Sequence, residues 1–509
     1  MGLWSEIQRT LLLGTERVGL PGLVRQAIRD HKLSDQGTDA HRLLRILTYL
    51  QQMQKGAQRL PQLEAPIPQA PIETQKKASP RQALILKKIL EEEVLMEVFP
   101  EYLQRSLETH TLIPNDALAS ICTAYQEDLD LLPMLQELMG TRGQWLARQN
   151  PDWAIFRKGS TEDTWNFGTL VERKYHLRSL RNTDPNRATQ ILKDSWADLP
   201  KHQGIPLLAL LRENLNSADL PFLEKLLSDA DPLLRKTAGR LLLNTPGAEL
   251  LDEIHLLARR IFPLNIEGAL EPISNLKIED LGESILNIGF SAKAEESERN
   301  QLLALQRYLL SILPPVIWET IWERPPTACL SILEETPQGG VYRSDLAESI
   351  LFYQDVPWSK ALLKPLLEAP LKDWDFPALK KLATNLSPQV FDELCVPFLN
   401  HHNNLIEASS LIYFILLHHQ TAWPVELTLR LIQIFQDYLQ YSKPSFQDEA
   451  GHYEDLLMRM AVKSEASLVT QLQLGWPHSS FQWHRWEGHV QKMIRILLMR
   501  QKMHEAFED

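Results

Sequence analysis

A chain of 509 residues with 44% hydrophobic and 23% charged residues has the balance of a folded globular protein, which excludes a largely disordered chain. Its net charge of −12 opposes nucleic-acid phosphates, so nucleic acid is not the expected partner, although a local basic patch could still bind it. Cys122, Cys329 and Cys395 are odd in number and far apart, which predicts three buried thiols and argues against a disulfide framework or a zinc site.

The amino-terminal sequence, Met1-Gly2-Leu3-Trp4-Ser5-Glu6, lacks the basic segment and the apolar core of a signal peptide. The apolar runs further along the chain, such as residues 411–417, are too short to cross a bilayer. We therefore expect a cytoplasmic protein that has no membrane partner.

Scarce glycine and frequent leucine favour an all-α fold, and breaks in the helical pattern divide the chain. Residues 1–60 predict an N-terminal segment of two or three helices. Residues 61–80 contain five prolines and predict an extended linker. Residues 81–160 predict a helical subdomain.

Residues 161–260 show the clearest pattern, which is that of stacked helical hairpins. Asp184-Pro185 and Asp231-Pro232 each place an N-cap aspartate before a proline at the first helical position. Four helices with short turns within residues 184–244 predict antiparallel neighbours and a HEAT-like α-solenoid. The first and third helices start 35 residues apart, which is shorter than the roughly 40–47 residues of HEAT repeats.

Residues 261–299 interrupt this pattern. Residues 262–266 and 284–290 alternate partly between apolar and polar side chains, which leaves open a small β-hairpin or an irregular insert. Residues 300–509 again predict helical repeats between proline and glycine breaks. The aromatic segment 476–486 is expected to cap the last repeat, with docking of a partner as the alternative.

The familiar signatures of chemistry do not occur in the sequence. It has no phosphate-binding loop, no nucleophile elbow and no His-Glu-x-x-His motif, so we expect neither an enzyme nor a bound cofactor. The pairs His401-His402 and His418-His419 place adjacent side chains on different sides of a helix. We interpret them as solvated helix ends and predict no metal site.

Two segments are candidates for binding a partner. Arg173, Arg178 and Arg181 could contact phosphate or an acidic protein, but neighbouring carboxylates favour a solvated, salt-bridged face. Residues 140–153 hold two tryptophans and two arginines, the residue types that dominate interface hot spots: Arg142, Trp145, Arg148 and Trp153. The favoured alternative is structural: a helix that starts after Gly143, buries Trp145 and ends at Asn150-Pro151, with Trp153 at a subdomain junction.

Four stretches support a resemblance to a known family. They are Leu-Leu-Gly-Thr-Glu-Arg at 12–17, the stretches 140–147 and 150–153, the stretch from Glu172-Arg173 through Arg181 to Asp184-Pro185, and the HEAT-like stretch 219–244. Together they resemble an uncharacterised bacterial family, a domain of unknown function with HEAT-like repeats. Where that family has an acid and an arginine, this chain has Asp198, Lys201 and His202, which weakens the case for a fixed charged site there.

The resemblance also implies a cellular context. Members of the family are encoded near MoxR-type AAA ATPases, von Willebrand A proteins and SWIM zinc-finger proteins, which implies an adaptor in a chaperone-like system. The prediction is a non-enzymatic scaffold that binds a protein partner, such as the ATPase or the von Willebrand A protein, through the seven arginines and tryptophans named above. The alternatives are a nucleic-acid-binding HEAT-like protein and an enzyme with an unrecognised site. The oligomeric state stays open.

Overall fold

The structure, a computed structural model, describes residues 3–57, 69–158, 162–245, 250–271, 285, 288–291, 296–441 and 450–508. The chain divides into two compact units, Met1–Ala70 and Pro71–Asp509. Residues 61–68 of the predicted linker lie outside the described residues. Its described part, residues 69–79, contains no helix.

The first unit is a small helical bundle. Its helices are α1 (Leu3–Leu13), α2 (Thr15–Val18), α3 (Gly22–Asp30) and α4 (Asp39–Ala57). Where the sequence predicted two or three helices, the structure has three longer helices and one helical turn, α2. The core of this unit consists of seven buried side chains: Ile7, Leu20, Val24, Ala27, Ile28, Leu43 and Ile46.

The second unit begins with twelve helices that lead into the predicted hairpin region. They are α5 (Pro80–Glu91), α6 (Glu93–Met96), α7 (Phe99–Glu108), α8 (Leu118–Ala124), α9 (Leu132–Leu138), α10 (Gly140–Gln149), α11 (Glu162–Phe167), α12 (Leu170–Thr183), α13 (Pro185–Ser195), α14 (Lys201–Ala209), α15 (Leu220–Leu226) and α16 (Pro232–Leu242). Short 3-10 helices follow or join several of them, notably Pro151–Phe156 after α10 and Leu210–Arg212 after α14.

The remaining helices continue the same pattern to the end of the chain. They are α17 (Leu250–Ile261), α18 (Glu298–Ile312), α19 (Val316–Trp322), α20 (Pro326–Glu334), α21 (Gly339–Tyr353), α22 (Val356–Leu363), α23 (Leu371–Trp374), α24 (Pro377–Thr384), α25 (Pro388–His401), α26 (Leu411–His418), α27 (Val425–Tyr441), α28 (Glu454–Lys463), α29 (Val469–Gln473) and α30 (Trp483–Glu508). Isolated bridges join Lys77 to Leu112 and Leu264 to Leu270, but the described residues contain no strand. The predicted all-α fold is confirmed.

The four helices predicted from the aspartate–proline pattern are α13 to α16. The Asp184 side chain accepts a hydrogen bond from the Arg187 amide at 3.1 Å, and Asp231 accepts one from the Leu233 amide at 2.9 Å. Both aspartates therefore cap their helices as the sequence indicates.

Residues 261–271 form a tight loop where the sequence left a β-hairpin open. A single antiparallel bridge joins Leu264 to Leu270, and Gly268 takes a φ of 85° that favours glycine. Most of the rest of the predicted insert, including residues 272–284, lies outside the described residues.

Helices of the second unit pack in two rows. In one row each helix contacts the next one in the order α18, α21, α24, α26, α28 and α30. In the other row α20 contacts α22, followed by α25 and α27. Each helix in these rows thus packs against the helix two or three positions further along the chain.

The last helix of the unit packs against the first ones. Helix α30 contacts α5 and α7, where Gln82 Nε2 donates to the Ala506 carbonyl at 2.9 Å and the Tyr102 and Phe507 rings lie 5.1 Å apart. Trp486 is buried and stacks on Tyr453. The last helix of the unit is therefore covered by the first ones, and the role of the aromatic segment as the cap of the last repeat stays a prediction.

Arginines satisfy the helix ends throughout the array. The last carbonyls of a helix have no partner within it. In six places an arginine from another helix donates to such carbonyls, and the six arginines are Arg181, Arg240, Arg343, Arg430, Arg459 and Arg500. A cation at a helix C-terminus also interacts favourably with the helix dipole.

Arg181 is the most deeply buried of these arginines. Its guanidinium donates to the Leu211 carbonyl at 2.8 Å and the Asn214 carbonyl at 2.7 Å, beyond the end of α14. It forms a bidentate ion pair with Asp219, at 3.1 Å for each bond, and both side chains are 0% exposed. The prediction of Arg181 as a partner-binding residue is therefore wrong: the side chain is a structural cap inside the hairpin core.

Glu101 and Arg500 join the two ends of the unit. Arg500 donates to Glu101 at 2.7 and 3.0 Å, and His504 Nε2 lies 2.6 Å from the same carboxylate. Burial alone would raise the pKa of Glu101, but the hydrogen bonds from His504 and Arg500 outweigh burial and hold this pKa at about 2.

We expect Asp219→Ala to destabilise the hairpin region strongly, because it leaves the buried Arg181 guanidinium without a counter-charge. The free energy of local opening of α12 to α16, measured by native-state hydrogen exchange, should fall by about 3–5 kcal/mol. Asp130→Ala is the control, since Asp130 pairs with Arg178 but is 82% exposed, and its effect should stay below about 1 kcal/mol. Equal effects of the two substitutions would contradict the assigned role of Asp219.

We expect Glu101→Gln to lower stability at pH 7 by about 2 kcal/mol, because it removes a largely buried ion pair. Since the folded-state pKa of Glu101 lies below its ordinary 4.5, the ionised form stabilises the fold above that pH and loses this effect as pH falls towards 2. The difference in thermal midpoint between wild type and variant should therefore shrink below pH 4.5. Glu108→Gln, in an exposed ion pair on the same helix, should show no such pH dependence.

Candidate functional site

An open cleft of the second unit lies beside residues that the sequence singled out. It has a volume of about 1070 Å³ and is bordered by the end of α10, the 3-10 helix Pro151–Phe156 and the start of α12. Arg148, Trp153 and Phe167 line it. We refer to it as the Trp153 cleft.

Local sequence signals shape two walls of the Trp153 cleft. The Asn150 side chain accepts a hydrogen bond from the Asp152 amide at 3.1 Å and starts the 3-10 helix, with Pro151 at its first position. Thr169 and Glu172 form a capping box that starts α12. At the adjoining Gly168, a Cβ atom would lie 2.2 Å from the Thr164 carbonyl oxygen, so the turn requires glycine.

Two glutamines hold the 3-10 segment in place. Gln136 Nε2 donates to the Ile155 and Arg157 carbonyls at 2.9 and 3.1 Å. Gln144 Nε2 donates to the Phe156 carbonyl at 2.8 Å, and its Oε1 accepts from the Lys158 amide at 2.7 Å. These bonds fix the backbone of residues 155–158 before any ligand binds.

Tyr175 links this network to α12. Its hydroxyl donates to Gln136 Oε1 at 3.0 Å. Burial raises the pKa of Tyr175, against the smaller lowering effect of the Gln136 hydrogen bond, so the hydroxyl stays protonated at neutral pH. The three side chains thus form one neutral network beneath the Trp153 cleft.

Charged side chains of both signs face the cleft. Arg148, Arg157 and Lys158 line it together with Asp152 and Glu127. Arg157 Nε donates to the Ala147 carbonyl at 3.2 Å. Within the described part of the chain, none of these three cations forms an ion pair with a carboxylate, so their charge is available to a ligand.

Aromatic side chains supply the apolar surface of the cleft. Phe167 is 87% exposed, which is unusual for phenylalanine. Trp153 is half-buried, packs against the main hydrophobic core and still borders the cleft. The Trp153 ring is therefore held by the core, whereas the Phe167 ring is exposed to solvent.

A second cleft of about 730 Å³ adjoins the first and shares Gln136, Lys158 and Tyr175 with it. Lys76 and Gln75, from the segment that precedes α5, also line it. The Lys76 carbonyl accepts from the Leu112 amide at 2.9 Å, which fixes this segment beside the cleft.

Of the seven predicted binding residues, only Arg148 and Trp153 line the Trp153 cleft. Trp145 is half-buried on α10, a helix that begins at Gly140 and not after Gly143 as predicted, and Arg142 is exposed at its first turn.

The other predicted arginines have partners within the chain. Arg173 donates to Gln203 at 3.3 Å, and Arg178 pairs with Asp130 at 2.8 Å and with Glu213 at 3.2 Å. This pairing agrees with the solvated, salt-bridged alternative, and Arg181 is buried as described above.

The sequence did not indicate Phe167, Lys158 or the glutamine pair as part of the site. A usable signal existed for Phe167, because it is a large apolar residue next to Gly168 and the capping box that starts α12. Gln136 and Gln144 give no such signal, since only the fold brings them to the same backbone segment.

The described residues give little support for a metal site or a reactive thiol. They contain no group of three or more His, Cys, Asp or Glu side chains placed to hold a metal ion. All three cysteines are buried, as predicted. Burial raises the pKa of the Cys122 and Cys329 thiols to about 12, which makes them poor nucleophiles at neutral pH.

His419 departs from the prediction that the histidine pairs are solvated helix ends. It is 1% exposed and stacks on Phe391, with the ring centroids 3.8 Å apart. Burial, and then the charge of Lys463, lowers the pKa of His419 to about 4. His402 instead lies near the surface, with Nδ1 2.9 Å from Glu368.

A bilayer-crossing helix, long and apolar enough for the hydrocarbon core, does not occur among the described helices.

Comparison with known protein families identifies the family of this chain. The model of a family described as "Family of unknown function (DUF5691)" matches residues 6–507, nearly the whole chain. Neither a curated protein nor a solved structure matches the chain significantly.

We expect Gln144→Ala to loosen the 3-10 segment without unfolding the protein, because it removes two hydrogen bonds worth about 1 kcal/mol each. Hydrogen exchange in residues 155–158 should accelerate about tenfold to thirtyfold. Gln149→Ala, at an exposed position of the same helix, should leave these amides unchanged. Unchanged exchange in both variants would show that Gln144 does not hold the segment.

Proposed function

The chain belongs to the DUF5691 family, whose members have no known function, and we propose that it is a non-enzymatic helical-repeat adaptor that binds a partner protein in the Trp153 cleft. The single observation that carries this proposal is the combination, in one open cleft, of an exposed phenylalanine, an anchored tryptophan and cations that form no ion pair with the described carboxylates.

The dimensions of the cleft suit a polypeptide better than a small ligand. Its volume of about 1070 Å³ exceeds the roughly 300–1,000 Å³ of small-molecule pockets, and an adjoining cleft extends it. Trp and Arg are the residue types most enriched among interface hot spots, and Trp153 and Arg148 both line the cleft. A protein segment with an apolar anchor and charges of both signs would match such a surface.

The surrounding fold supports the adaptor proposal. Helices α13 to α16 form short hairpins with aspartate N-caps, which favours a HEAT-like repeat in this part of the chain. Helical repeats present extended surfaces for partner proteins. We propose that the adaptor acts in the cytoplasm, where its three unpaired thiols would stay reduced.

The candidate partners are the AAA ATPase and the von Willebrand A protein that the family resemblance implies. Lys158 provides a built-in probe, because it is exposed and lines both clefts. In a mixture of the purified proteins, a lysine-reactive crosslinker should join Lys158 to the partner that binds. Lys158→Arg should abolish this crosslink and leave the affinity nearly unchanged.

We expect Phe167→Ser and Trp153→Ala each to weaken partner binding at least tenfold, the effect of losing about 1.4 kcal/mol or more from a hot spot. Isothermal titration calorimetry measures this change directly. Tyr441→Ser is the matched control, since Tyr441 is 80% exposed but does not line the cleft.

Two outcomes would overturn the proposal. Equal affinity for wild type and both cleft variants would place the partner elsewhere on the chain. Tight binding of a labelled duplex that is lost in Arg148→Glu and Arg157→Glu, without any protein partner, would favour the nucleic-acid alternative.

A further inference from the structure

The first unit exposes an unusual share of large apolar side chains. Of the 23 such side chains exposed among the described residues, eight lie between Trp4 and Met53. Six of them fall within residues 4–23: Trp4, Leu11, Leu12, Leu13, Val18 and Leu23. We call these six the α1–α2 patch. Such a concentration of exposed apolar side chains in one short segment of a folded unit indicates an interaction site.

Local geometry gathers the members of the patch. Trp4 and Leu11 are seven residues apart and share one face of α1. Gly14 takes a φ of 81°, which turns the chain directly into α2, and the Val18 amide donates to the Gly14 carbonyl at 3.3 Å. Helix α1 also contacts α3, whose second residue is Leu23.

The core of the first unit is too small to account for this surface. Among the described residues seven buried hydrophobic side chains form it, and domains of about 60 residues are marginally stable on their own. Leu12 is 87% exposed and Trp4 is 48% exposed. Covering such side chains is the simplest way in which a unit of this size gains stability.

Charges around the α1–α2 patch are balanced and unpaired. Glu6, Arg9, Glu16 and Arg17 lie on α1 and α2, and in the described structure none of the four forms an ion pair. Elsewhere in the same unit Arg42 is paired with Asp35 at 3.0 Å and with Asp39 at 3.1 Å. The four charges on α1 and α2 are thus available to a partner that covers the apolar patch.

We propose that the α1–α2 patch is a homodimer interface, with a second copy of this chain as its occupant. In a twofold contact each residue meets the reciprocal one, so two carboxylates and two guanidiniums beside one patch can pair with their counterparts on the other copy. This balance is what a self-complementary surface requires.

The same observations disfavour a membrane as the occupant. Anionic lipids attract surfaces with an excess of Lys and Arg, whereas the charges beside this patch cancel and the whole chain has a net charge of −12. The exposed area also fits a dimer. Six side chains of this size offer roughly 500 Å² of apolar surface, and the charged rim brings this towards the about 800 Å² per partner of a standard interface.

The test is the mass of the full-length protein in solution as a function of concentration, measured by sedimentation velocity. The wild type should approach twice the chain mass of 58.6 kDa as its concentration rises. Leu12→Glu should weaken this association at least tenfold without changing the circular dichroism spectrum or, at dilutions where the wild type is monomeric, the thermal midpoint, because Leu12 is largely exposed in the single chain. Leu256→Glu, at a position 67% exposed on α17, should associate as the wild type does.

A charge-exchange experiment distinguishes this contact from any other. The double variants Arg9→Glu/Arg17→Glu and Glu6→Arg/Glu16→Arg should each be monomeric, since each carries four like charges beside its patch. Mixed in equal amounts, they should form a heterodimer. A heterodimer that salt weakens is the expected result, because its rim contacts are solvent-exposed charges.

Three results would overturn the proposal: a monomer at every concentration, a dimer that Leu12→Glu leaves intact, and double variants that fail to associate when mixed. Binding of a monomeric protein to phosphatidylserine vesicles that Leu12→Glu abolishes would instead assign the patch to a membrane surface. The proposal is independent of the Trp153 cleft, whose variants are expected to leave the dimer unchanged.

Discussion

Stacked short helices place many C-terminal carbonyl groups at buried junctions, and satisfying these groups is the constraint on which the second unit depends. Each helix leaves its last carbonyls without an internal partner, and burial without a hydrogen bond is costly. Arginine solves this problem because its planar guanidinium reaches several carbonyls at once. Burying that charge needs a counter-charge, which Asp219 supplies for Arg181 and Glu101 for Arg500. The fold therefore depends on pairs of residues far apart in sequence.

Because of the Glu101–Arg500 contact, the fold of the whole second unit depends on a pair of residues from its two ends. Arg500 caps α28 through the Ala461 carbonyl and meets its carboxylate partner 399 residues earlier in the chain. Helix α30 can occupy this position only if the intervening helices end at the right place. An additional hairpin anywhere between them would displace Arg500 from Glu101 and leave both charges partly buried and unpaired. Closure thus restricts the number of helices more tightly than an open array would.

Local signals in the sequence were sufficient to predict the helices but not the residues of the Trp153 cleft. The Asp184-Pro185 and Asp231-Pro232 caps act within one turn, so their helices could be predicted from a few residues. Arg181 could not be assigned in this way, because a buried cap and a solvated arginine share the same helical spacing and differ only in distant partners. The same reasoning explains why the sequence indicated Trp153 but not Phe167 as a residue of the cleft. The exposure of Phe167 follows from how α11 and α12 pack. Closure of the unit likewise depends on contacts that no local pattern encodes.

The Trp153 cleft shows what happens when a helix end is capped without an arginine. Gln136 and Gln144 satisfy the carbonyls of residues 155–157 with neutral amides. An arginine in their place would require a buried carboxylate and would fill the floor of the cleft with a charge pair. Neutral caps avoid this, and within the described residues Arg148 and Lys158 at the rim form no ion pair. The backbone is also ordered in advance, so a ligand would lose less conformational entropy on binding. The neutral network therefore explains how the backbone of the cleft is held in place while charged side chains at its rim remain available to bind a partner.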